Sequence, residues 1–110
     1  MSSQLLRGNL LKIYAVQVTF DPAAVATITT AEQDVTVTGV KVGDIVLAVN
    51  KPTLTAGVGI VNARVKAADT VSLQYVNPTA GSVNPASEVY TIVLVRPEVG
   101  AGTLPSVVNV

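Results

Sequence analysis

The chain has no cysteine, no histidine and no tryptophan. Without the first two there are no disulfides, no thiolate or imidazole metal sites, no Cys/His or Ser/His nucleophilic catalysis and no imidazole pH sensor. Aromatic residues make up only 4%, three Tyr and one Phe, so large core anchors are few and the core is expected to be thin. Charge is equally sparse: seven basic and seven acidic residues give a net charge of zero. Lys12, Lys41, Lys51, Arg64, Lys66 and Arg96 are scattered without interleaved aromatics, so the basic field of a nucleic-acid binder is missing. No stretch approaches the ~20 apolar residues that a membrane helix requires. Leu5-Leu6 and Leu10-Leu11 flank Arg7, but Gly8-Asn9 interrupts any signal-peptide core. Neither membrane insertion nor secretion by that route is expected.

What the chain has in abundance is β-branched residues: 22 Val, 5 Ile and 12 Thr, or 39 of 110. Such side chains are stiff at χ1 and suit a pleated surface, which predicts an all-β domain. One hundred and ten residues supply one core, so residues 1–110 are read as a single domain. A mean hydropathy of +0.53 at zero net charge also implies that part of the apolar surface stays outside and meets other polypeptides.

Along the chain, residues 1–11 read as an N-terminal arm. Lys12 to Phe20 is the first strand, with Tyr14, Val16, Val18 and Phe20 on one face and Ile13, Ala15, Gln17 and Thr19 on the other. Asp21-Pro22 stops it. Ala23 to Thr30 is a weaker strand candidate, with a short helical turn as its alternative. Asp34 to Thr38 alternates again, and Val40 to Asp44 is a turn or bulge in which Gly43 takes the positive-φ position. Ile45 to Asn50 is a continuous apolar run suited to a buried strand. Val58 to Lys66 and Thr70 to Asn77 pair across Ala67-Ala68-Asp69. Pro78 to Ser87 is the richest turn region. Glu88 to Arg96 is apolar on both faces and is expected at the centre of a sheet. Residues 97–110 read as a C-terminal arm, a loose linker and then a β-prone tip that either adds to a neighbour's sheet edge or frays. Six or seven short strands without a long helix predict a small antiparallel β-sandwich or jelly-roll-like barrel over residues 12–96.

Carboxylates are the remaining catalytic option. A glycosidase places two of them roughly 5–10 Å apart in a cleft with aromatic platforms. Glu32, Asp34, Asp44, Asp69 and Glu88 are the candidates, but each position also suits a solvated turn or strand end. The same acids lack any spacing for Ca²⁺. Gly57-Val58-Gly59-Ile60-Val61-Asn62 lacks the third glycine of a dinucleotide fingerprint and leads into a strand, so it reads as a turn with a bulge. Asn77 and Asn84 precede proline and are not glycosylation acceptors. No catalytic residue, metal or cofactor is therefore assigned.

The ordered series Thr38-Gly39-Val40-Lys41-Val42-Gly43-Asp44-Ile45-Val46, Gly57 to Val65, Ala68-Asp69-Thr70-Val71, Tyr75-Val76-Asn77-Pro78-Thr79 and Tyr90 to Arg96 resembles small β-sandwich structural proteins of tailed bacteriophages. It is most similar to the capsid decoration (cement) proteins and related virion β-domains, over roughly Thr38 to Arg96. The resemblance implies a non-enzymatic protein, made in the bacterial cytoplasm, that binds the capsid surface and bridges neighbouring major capsid subunits. It also implies self-association, as a homotrimer or alternatively a dimer. The segments outside the match are expected to supply partner contacts: Leu5, Leu6, Leu10 and Leu11 on one side, Val107, Val108 and Val110 on the other. The alternative is a tail or fibre domain recognising a host receptor or glycan, for which Tyr14, Tyr75 and Tyr90 are the candidate platform, although aromatics in strands are usually core.

Overall fold

Alternation of apolar and polar residues, broken at proline and glycine, builds six antiparallel strands in the computed structural model, which describes residues 9–98 together with residues 104 and 106. They are β1 (Leu10–Phe20), β2 (Thr29–Thr36), β3 (Ile45–Asn50), β4 (Gly59–Ala67), β5 (Thr70–Asn77) and β6 (Glu88–Pro97). They form two three-stranded sheets, β1-β6-β3 and β2-β5-β4, and no helix occurs among the described residues. The two sheets face each other as a small β-sandwich.

The core is the pair of inner faces. Tyr90, Ile92 and Leu94 of β6 meet Val71, Leu73 and Tyr75 of β5, and all six are fully buried. Tyr14, Val16, Val18 and Phe20 pack against that cluster from β1, with Phe20 edge-on to Tyr90 at 5.8 Å between ring centroids. The hydroxyls of Tyr75 and Tyr90 meet at 2.9 Å in the middle of the sandwich. One sheet thus donates a hydrogen bond to the other where no water reaches.

Several expectations hold. β6 is the central strand of its sheet, and β3 and β5 have the expected limits. Gly43 has a φ of 104° in the turn before β3. The glycine-rich segment is a turn followed by a bulge, with Gly57 at φ 87° and a register shift between Ile60 and Asn62. Its Cβ, if present, would lie 2.9 Å from the Thr79 Cγ2, so both conformation and space require glycine there.

Others are corrected. Ala23 to Thr30 is not a strand. Val25 makes an isolated bridge to Val83, and the real strand, β2, starts at Thr29. Its inner face holds Ala31, Gln33 and Val35, opposite Tyr75, Leu73 and Val71. The Gln33 amide both donates to the Ala23 carbonyl and accepts from its N–H, fastening the 21–26 loop to β2 by side chain instead of ladder. The N-terminal arm is shorter than expected, because Leu10 and Leu11 belong to β1 and Leu10 pairs with Pro97. The C-terminal arm begins later, because Pro97 is the last, buried residue of β6. Ile45 to Asn50 is an edge strand with one open face: Leu47 is 62% exposed. Its continuous apolar run reflects an uncovered outer face, not a second buried one.

The loops at each end are held by polar side chains. Asn77 is fully buried and uses its whole amide: Nδ2 donates to the carbonyls of Val25 and Gly81, while Oδ1 accepts from the Thr79 N–H and hydroxyl. At the opposite end Asp69, in the left-handed region at φ 61° that Asp tolerates, accepts from the Gly39 N–H through its carboxylate. Asn9 and Glu98 lie together at this end, the Glu98 N–H donating to the Asn9 carbonyl at 2.6 Å.

Candidate functional site

The two outer faces of the sandwich differ chemically. On the β2-β5-β4 sheet, Glu32 and Asp34 from one edge strand face Arg64 and Lys66 from the other. Arg64 grips Glu32 with two hydrogen bonds, 2.7 and 2.8 Å. Lys66 Nζ lies 3.4 Å from Asp34, which also accepts from the Ser72 hydroxyl at 2.5 Å. These pairs span the central strand, and Ser72 beneath them is fully covered. The bond from Arg64 holds the Glu32 carboxyl below its ordinary value, and that from Ser72 does the same for Asp34.

The β1-β6-β3 sheet shows the opposite. Its outer face consists of Ile13, Val95 and Ile45 in one row across the strands, then Ala15, Val93 and Ala48, then Gln17, Thr91 and Asn50. Thr19 and Val89 follow. None of these residues carries a charge. Leu47, at the β3 register shift, and Leu11, at the start of β1, extend the apolar part and are exposed. Val95, between Ile13 and Ile45, is itself buried at 6%, so the exposed apolar area lies on the flanking strands. A sheet normally buries one apolar face and solvates the other with polar side chains; here both faces of one sheet are mainly apolar.

At one end of the sandwich lies the densest polar cluster. Asp44 is buried and accepts from Arg96 Nε at 2.8 Å and Nη2 at 2.7 Å, from the Tyr14 hydroxyl at 2.7 Å and from the Lys41 N–H at 3.0 Å. Arg96 also donates to the Gly39 carbonyl and lies over the Tyr14 ring. The guanidinium holds the Asp44 carboxyl well below the usual carboxylate range, against the opposing pull of burial. Burial first, and then Asp44, push the Tyr14 phenol up, which keeps it a donor. All these groups are satisfied by one another, so the cluster clamps the 37–44 turn onto β1 and β6. At the other end Glu88 lies 2.9 Å from Lys51 and accepts from the Thr53 hydroxyl, tying the β3–β4 loop to β6.

The sequence candidates sort accordingly. Glu32 and Asp34 lie on the charged face, Asp44 and Glu88 in ion pairs at opposite ends, and Asp69 in a hairpin turn. Only Glu32 and Asp34 come together, on the exposed face of β2 and each paired with a cation, while Asp44, Asp69 and Glu88 lie apart. No cluster of three or more acidic residues able to hold a metal ion occurs among the described residues. Tyr75 and Tyr90 are fully buried and Tyr14 is half-buried beneath Lys12 and Arg96, so these rings do not make an exposed glycan platform. Of the expected partner contacts, Leu10 and Leu11 are exposed at the start of β1. Leu5, Leu6, Val107, Val108 and Val110 lie outside the described residues. A shallow groove of about 270 Å³ between β3 and β4 is lined by residues 46–49 and 60–63, backbone included, with Asn62 the one polar side chain among them.

Two features escaped the sequence reading. The Asp44–Arg96–Tyr14 cluster joins residues far apart in the chain, with no local signal. The apolar face is half visible in the sequence: alternation puts Ile13, Ala15, Gln17 and Thr19 on one side of β1, but nothing local shows that β3 continues that surface. Comparison with protein families, curated proteins and solved structures finds no match.

Proposed function

We propose that this is a non-enzymatic structural protein of a tailed-phage virion, a decoration protein that sits on the capsid surface and bridges neighbouring major capsid subunits. The observation that carries this reading is the open, uncharged outer face of the β1-β6-β3 sheet. Enzymes concentrate polar groups in a concave site; here the acids serve as structural ties, and the unusual surface is flat, apolar and three strands wide. Such a surface suits contact with other polypeptides. The pairing of Asn9 with Glu98 adds to it, because it sets residues 9 and 98 side by side at one end of the sandwich, next to the exposed Leu11. Two flanking segments and a separate apolar face give one body distinct surfaces for more than one polypeptide, as bridging requires.

The reading is tested on heads of the encoding phage, prepared with and without the protein and imaged, then heated while DNA release is followed. Added protein is expected to give regular surface density and to raise the release temperature. Heads that bind no protein, or bind it with unchanged release, overturn the reading.

A further inference from the structure

The rows of the open face are symmetric about their central strand. Across β1, β6 and β3 they read Ile13–Val95–Ile45, Ala15–Val93–Ala48 and Gln17–Thr91–Asn50. Isoleucine thus balances isoleucine, alanine balances alanine, and amide balances amide, with Val or Thr between. A surface of this kind matches itself: a twofold axis running along β6 between two stacked copies lays β1 of one over β3 of the other. Ile13 then meets Ile45, Ala15 meets Ala48, and the Gln17 amide meets the Asn50 amide, each with donors and acceptors for the other.

We propose that the partner of this face is a second copy of the chain, stacked sheet on sheet in a twofold dimer. This rests on the reading of the protein as a bridging clamp, and deepens it: a dimer carries two pairs of flanking segments and grips two sites at once. Three observations favour a second copy over a foreign protein. The face has no charge to steer or select another partner. Its symmetry is the self-complementarity that an isologous contact needs. Its size also suffices. Leu11, Ile13, Ile45 and Leu47 are 60, 58, 43 and 62% exposed. With Ala15, Ala48 and Val93 they supply roughly 500 Å² per copy, so a dimer buries about 1,000 Å², the lower bound for a specific interface. The association is accordingly reversible and dependent on concentration. The preferred geometry is aligned stacking at about 10 Å between sheets.

The test is sedimentation of the purified full chain over a wide concentration range, with two double variants at the exposed Ala15 and Ala48. The wild type is expected to move from one to two times 11.3 kDa as concentration rises. Ala15→Lys with Ala48→Lys puts like charges opposite each other in both halves of the dimer and is expected to raise the dissociation constant about a hundredfold. Ala15→Glu with Ala48→Lys puts opposite charges there and is expected to stay within about tenfold of wild type at low salt. At concentrations where the wild type is a monomer both variants should melt like it, since neither position is buried. A wild type that stays monomeric, a mass of three chains, or equal loss in both variants overturns the dimer. A monomeric wild type that still decorates heads overturns the dimer alone; a dimer that binds no heads overturns only the capsid reading.

Discussion

The hydroxyl pair at the centre of the sandwich gives a sharp energetic test. Tyr75 and Tyr90 are both fully buried, their oxygens lie 2.9 Å apart, and neither makes another hydrogen bond. Tyr75→Phe removes one hydroxyl and leaves the Tyr90 hydroxyl alone in an apolar core. The cost is then the lost bond plus an unsatisfied buried group, about 1–3 kcal/mol. Tyr90→Phe leaves the opposite orphan at a similar cost. The double variant removes both polar atoms and keeps both rings, including the edge contact between Phe20 and Tyr90. It is expected to be no less stable than either single variant, because two apolar groups of matched shape replace a hydrogen-bonded pair. In a domain of this size each kcal/mol lowers the melting temperature by roughly 4–8 °C, so the single variants should melt about 5–20 °C below wild type. Equilibrium urea unfolding of all four proteins supplies the cycle. Neutral single variants, or a double variant whose loss equals the sum of the singles, would refute the reasoning.

Three further outcomes follow from the ties at the two ends. Asp44→Ala leaves Arg96 without its carboxylate and should cost about 3 kcal/mol by urea unfolding. Because the folded Asp44 carboxyl titrates below its unfolded value of 3.8, its contribution is complete above that value and drains away as pH falls beneath it. The variant should therefore show a smaller drop in melting temperature than wild type between pH 5 and the acid range. Gly57→Ala places a Cβ 2.9 Å from the Thr79 Cγ2 at a φ of 87°, and should cost about 1–3 kcal/mol. Thr79→Ser, which removes that methyl and keeps the hydroxyl, should recover the crowding part of the loss. Asn77→Ala takes one of two donors from each of the Val25 and Gly81 carbonyls and leaves the Thr79 N–H without its acceptor, and should cost about 2–4 kcal/mol, with hydrogen exchange faster in the 78–87 loop.

How far the sequence revealed this molecule depended on the range of the interaction. Strand identity was legible where alternation is local: β1, β3, β5 and β6 follow from Val and Ile placement, and the β4–β5 hairpin from its short turn. The start of β2 was not, because the 21–28 segment is held by Gln33 and by the bridge between Val25 and Val83, which are distant in the chain. Ile45 to Asn50 misled for a related reason. A run apolar on both faces is the mark of a strand covered on both sides, yet this strand lies at an edge and one face is open. The high hydropathy at zero net charge pointed to exposed apolar surface, but only the register of three strands gathers it into one symmetric face. The charged face was equally hidden, since its pairs join β2 to β4 across β5.

The central claim is that this chain grips other polypeptides through uncharged surface. It is tested most directly by sedimenting the protein with heads of the encoding phage across an ionic-strength series from low salt to about 1 M, where screening reduces the reach of charge to about 3 Å. Binding carried by apolar contact should stay nearly constant, or strengthen, throughout the series. A steep fall with salt would mean that charge holds the complex together, and would contradict the account.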